Sequence, residues 1–114
     1  MITSHSHRRL DRDQIRADMS QAVDAYVQIP PARETARLTT RLTRHLTSLI
    51  RMTERQAAAC APGSVDRFMR QASLERARAA LAERPERDPQ SAAAHVLTLY
   101  WALLQLVDYL REPT

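Results

Sequence analysis

Apolar positions recur at three- and four-residue intervals along four stretches of this chain, separated by proline, glycine and charge. That rhythm belongs to amphipathic helices rather than to the alternation of strands. The last stretch, residues 88–112, is the richest: Val96, Tyr100, Leu103, Val107 and Leu110 form one row, and Leu97, Trp101 and Leu104 a second. No charged residue falls between Asp88 and Asp108. A helix that is apolar over so much of its circumference belongs at the centre of a bundle or against a partner. Asp88 is placed to cap it and Pro89 to occupy its first turn, where a missing N–H costs nothing.

The three preceding stretches are more polar. The first helix is expected from about Asp11 to Gln28, with Asp11 or Asp13 as cap and a narrow stripe of Ile15, Met19, Ala22 or Val23, and Tyr26. Ile29-Pro30-Pro31 ends it, because the residue before proline is pushed out of the α region. The second helix should run from Pro31 or Ala32 to Cys60, burying Leu38, Leu42, Leu46 (or His45), Leu49 and Met52 or Thr53. Six threonines lower its intrinsic propensity, so packing has to hold it. After the turn Ala61-Pro62-Gly63-Ser64, a third helix from Val65 to about Glu83 has Ser64 as its cap. Its expected core face is Val65, Phe68 or Met69, Ala72 and Ala79 or Ala80, with Leu74, Ala77 and Leu81 on a second face. Residues 1–10 show no periodicity and read as a disordered arm, which leaves 11–114 as one domain. The expected fold is all-α: a small antiparallel bundle of three to four helices with the C-terminal helix central.

Composition narrows the chemistry. A single glycine in 114 residues argues against β-rich and phosphate-loop architectures, which need glycine for tight turns and close backbone approach. All 17 basic residues are Arg, which with the abundant Ala matches the codon bias of a high-GC genome. Net charge is +4, and the stretch 31–60 alone holds six Arg against Glu34 and Glu54, a surplus equal to that of the whole chain. Cys60 is solitary, so no disulfide forms within the chain. With no secretory signal pattern at the start, the expected compartment is the cytoplasm.

Each candidate site has a plainer reading beside it. The 19 uncharged residues 89–107 reach the length of a membrane span, but Gln90, Ser91, His95, Thr98 and Gln105 interrupt them and favour a core or dimer helix. Arg37, Arg41, Arg44, Arg51 and Arg55 make a possible anion or nucleic-acid face, or simply a solvated one. His45 and His95 fall near apolar faces, where hydrogen-bonded half-burial is the ordinary role. His95, Tyr100 and Trp101 outline a possible ligand pocket. No hydrolase elbow, P-loop, dinucleotide fingerprint or zinc spacing is present, so no cofactor, metal or catalytic residue is assigned and nothing requires an enzyme.

From about Leu38 to Leu110 the layout resembles a family of small actinobacterial proteins labelled as natural-product biosynthesis proteins. The matching features are Leu42-Thr43-Arg44-His45-Leu46, the turn at Pro62 to Val65 and Val65-Asp66-Arg67-Phe68. Leu74-Glu75-Arg76-Ala77-Arg78 and the Leu/Tyr-rich closing helix complete them. The resemblance implies a cytoplasmic protein with an accessory or regulatory role in specialised metabolism, and it carries no catalytic residue.

The sequence therefore reads as a bundle that works by binding, either another protein or a second copy of itself. The expected interface is Val96, Leu97, Tyr100, Trp101 and Leu104, because three polar neighbours leave that broad stripe incompletely covered. The alternatives are a nucleic-acid binder using the Arg face, or a small-ligand or catalytic bundle.

Overall fold

A computed structural model describes residues 11–111. The expected arm, 1–10, lies outside the described residues, as do the last three positions. Four helices follow in order: α1 (Arg12–Gln28), α2 (Ala32–Ala59), α3 (Val65–Ala82) and α4 (Pro89–Val107), with a 3₁₀ turn, Asp108–Arg111, extending α4. Every described residue outside them is in a turn or connector, giving an all-α bundle.

Local chemistry accounts for the ends. Asp11, Ser64 and Asp88 each sit in extended geometry and accept a hydrogen bond from the backbone N–H three residues on. The bond from Ser91 to the Asp88 side chain holds that carboxyl below its ordinary pKa of 3.8. Gly63 turns the chain at φ 78°, a conformation a side chain would resist. The end of α1 has no such relief. Ile29 caps it in the left-handed region at φ 48°, its N–H reaching the Ala25 carbonyl. A β-branched residue there is strained.

Antiparallel neighbours are tied at their ends. Arg12 Nη2 donates to the Leu110 carbonyl at 2.6 Å, joining the start of α1 to the end of α4. His95 at the start of α4 meets the Ala80 carbonyl near the end of α3. Gln56 Nε2 donates to the Tyr109 carbonyl, so the ends of α2 and α4 coincide and these two helices run parallel. They share the most extensive contact in the fold; α1 and α3 flank the pair and make no substantial contact with each other.

The core is correspondingly two-sided. Leu42, Leu46 and Leu49 of α2 and Val96, Leu99, Leu103 and Leu106 of α4 are wholly excluded from water. Each such side chain contributes roughly 1.5–3 kcal/mol by its burial. On α1 the buried row is Ile15, Asp18, Met19, Ala22 and Ala25, so the expected stripe is corrected at Val23 and Tyr26, both exposed. On α3 the core falls on the second expected face, joined by Ala80 from the first. Val65, Phe68 and Met69 are exposed, while Arg70, Leu74, Ala77 and Ala80 face inward. The row of small residues lets α3 lie close along its length, whereas Val65, Phe68 and Met69 are confined to its first turns.

Among the described residues, two buried polar atoms, Thr53 Oγ1 and Gln105 Oε1, have no hydrogen-bond partner. Replacing Thr53 by the isosteric Val is expected to stabilise the protein by about 1 kcal/mol, read as a higher urea midpoint at unchanged slope. Ile29→Gly relieves the left-handed strain and is expected to raise the melting temperature despite glycine's greater unfolded-state entropy.

Candidate functional site

The outer face of α4 holds the first candidate. Four helices provide three neighbours for α4, and its buried positions, Ala93, Val96, Leu99, Ala102, Leu103 and Leu106, take up the sector those neighbours cover. The remaining sector turns outward. Trp101 is 54% exposed and Leu104 37%, with Ala94 exposed and Leu97 half-buried alongside at helical spacing. Tyr100, half-buried against the core, meets the Trp101 ring edge-on at 5.4 Å between centroids. Of the expected interface set, Val96 is corrected: it is fully sealed inside the chain's own core and has no surface left for a partner. The segment Pro89–Leu110 is long and apolar enough to cross a membrane by length and composition, yet it packs against all three other helices.

The second candidate is the outer face of α2. Leu38, Leu42, Leu46, Leu49 and Thr53 point inward, which turns Arg37, Arg44, Arg51 and Arg55 to the opposite side, where all four are exposed. Arg41 is corrected. Its side chain bends toward α1, Nε donating to Asp18 Oδ1 at 3.1 Å and Nη2 to Gln21 Oε1 at 2.7 Å. Arg33, which sequence reasoning left out, stands on the exposed side one turn before Arg37.

Asp18 is the residue that sequence reasoning missed. Only 1% exposed, it receives Arg41 Nε on one oxygen, together with Gln14 Nε2 at 3.1 Å, while the other lies 2.7 Å from His45 Nε2. A carboxylate excluded from water is tolerable when its oxygens are this fully satisfied. The network pins α1 to α2 at mid-length. Beside it, toward the α1–α2 elbow, opens a shallow cleft of about 410 Å³ whose lining includes Asp24, Glu34, Arg37 and Arg41. A clue was present in the sequence: Asp18 sits three residues after Ile15 and four before Ala22, on the apolar stripe itself.

The remaining candidates do not assemble. His95 is buried, its Nε2 3.3 Å from the Ala80 carbonyl and 3.7 Å from Glu83 Oε1. It borders a recess lined by residues of the α3–α4 connector and the first turns of α4, and neither Tyr100 nor Trp101 reaches it. The expected pocket of His95, Tyr100 and Trp101 is therefore corrected; six residues of helix turn His95 and Trp101 to different sides. His45 and His95 likewise stay apart, each with its own partner. Among the described residues no three His, Cys, Asp or Glu side chains group as a metal site would require. Cys60, half-buried at the end of α2, lies 3.9 Å from Arg70 Nη1. That arginine is itself buried and stacks over the Tyr109 ring at 4.5 Å.

Replacing Asp18 by Ala takes the carboxylate away from the half-buried Arg41 and His45. Both partners retain some solvent, so the expected loss is about 2 kcal/mol rather than the full cost of a buried unpaired charge, measured by urea denaturation.

A family model described as a family of unknown function, DUF6415, matches residues 13–114. No curated protein and no solved structure matches the chain.

Proposed function

We propose that this chain, which belongs to the DUF6415 family of unknown function, is a non-catalytic interaction protein that pairs with a second copy of itself through the outer face of α4. The observation that carries this reading is the exposure of Trp101. It is the protein's single tryptophan, and it stands on the most apolar helix with Leu97 and Leu104 at helical spacing. A large aromatic ring flanked by leucines is the type of anchor that dominates protein interfaces. An apolar stripe on one rigid helix is self-complementary about a two-fold axis, the commonest symmetry of soluble oligomers. Tyr100 holds the Trp101 ring from one side, which lowers the entropy lost when a partner closes over it.

The cytoplasm is the compartment in which we place this activity. An accessory or regulatory role in specialised metabolism is part of the same proposal and rests on the sequence resemblance described above.

The test is the solution mass by light scattering. The wild-type chain is expected at twice its 13.0 kDa mass, and Trp101→Asp at the mass of one chain with unchanged helical content. A monomeric wild-type protein, or a dimer indifferent to Trp101→Asp, overturns the interface.

A further inference from the structure

The outer face of α2 carries a feature that self-association through α4 does not use. Arg33, Arg37, Arg44, Arg51 and Arg55 follow one another at intervals of four and seven residues, so they stand in a single line along the helix. Over that length the line extends about 33 Å at the α-helical rise. All five are exposed, and among the described residues none is ion-paired. Among the described residues neither acid of α2 is ion-paired with the line: Glu54 meets Arg78 of α3, and Glu34 lines the cleft at the α1–α2 elbow together with Arg37. Arg41, the one basic residue of the central turns drawn off the line, is the one for which the fold supplies a carboxylate, Asp18.

What lies between the arginines identifies the partner. The other exposed positions between Arg33 and Arg55 are Glu34, Ala36, Thr40, Ser48 and Glu54, none of them aromatic or large and apolar. A helix that lies on a membrane needs large apolar residues beside its basic ones to enter the headgroup region, and this face has none. A protein partner of ordinary kind takes most of its energy from aromatic or aliphatic anchors, which are also missing from this face. Single-stranded nucleic acid is held by stacking its bases on aromatic side chains, and the aromatic residues of the described chain lie on α1, on α3, on α4 and in the closing 3₁₀ turn. The remaining partner is a regular polyanion recognised by charge alone. We propose that this row binds the phosphate backbone of a nucleic-acid duplex without regard to sequence.

The mechanism is counterion release. Each guanidinium that settles on a phosphate displaces condensed cations, so the affinity falls as a power of the salt concentration. With four or five contacts the logarithmic slope is about −4, and the dissociation constant at moderate salt is on the order of 10⁻⁵ M.

Fluorescence anisotropy of the full chain with a labelled DNA duplex of about 20 base pairs tests this, titrated across a series of salt concentrations. The expected result is binding with the stated slope. Arg37→Glu, Arg44→Glu and Arg51→Glu together are expected to lower the affinity at least tenfold. Arg16→Glu, Arg76→Glu and Arg87→Glu together make the same change in net charge away from α2 and are expected to retain most of it. Circular dichroism on both variants confirms that each keeps its helices. Absent duplex binding by the wild type, equal loss in the two variants, or unchanged binding in the first overturns the proposal. So does tighter binding to anionic vesicles or to polyglutamate than to the duplex, which would assign the row to a membrane or an acidic protein. The solution mass is not the readout here, so failure of the α4 interface leaves this result intact.

Discussion

Leu42, Leu46 and Leu49 on α2 and Val96, Leu99, Leu103 and Leu106 on α4 belong to one core cluster fully shut off from water, and the rest of the structure depends on that seam. Two long helices that run parallel cannot be joined by a short turn. The chain therefore has to return between them, and α3 is that return. With α2 and α4 in direct contact, α1 and α3 are left to the flanks, each lying against both. The consequence is a bundle without the square cross-section of an ideal four-helix arrangement. Both members of the central pair keep one face in solvent.

Those two free faces differ because the two helices differ. On α2 the buried sector is leucine-lined, and the outward positions are Arg, Thr, Ser and Ala with Glu34 and Glu54. On α4 the apolar residues exceed what three neighbours can cover, so Trp101 and Leu104 remain outside while Val96 and Leu99 are sealed. The proposed self-interface and the proposed phosphate row thus occupy separate helices, each turned away from the same seam.

Polar groups inside the bundle set its registration. Asp18 fixes α1 against α2 through Arg41 and His45, and Arg70 fixes α3 against the end of α2 and the closing 3₁₀ turn through Gln56 and Tyr109. Hydrophobic burial alone is non-directional and tolerates sliding of one helix along another. A buried carboxylate or guanidinium tolerates very little, since a shift of one turn would leave it without partners. The chain has both devices, one on each flank of the α2–α4 pair.

Helix boundaries were legible in the sequence because they are decided within a few residues. Asp11, Ser64 and Asp88 cap through their own side chains, Pro89 fits the first turn, and Gly63 turns the chain where other residues would strain it. The leucine row of α2 was legible too, since only one side of that helix is apolar. What the sequence left open was which side of a broadly apolar or small-residue helix turns inward. On α3 and α4 two rows competed, and the choice was made by where the neighbours stood. The destinations of long polar side chains were hidden for the same reason. Arg41 looks like Arg37 and Arg44 in the sequence, and Asp18 looks like a polar residue on an amphipathic helix. Only when α1 and α2 lie side by side does the carboxylate lose its water and draw the guanidinium and the imidazole to itself.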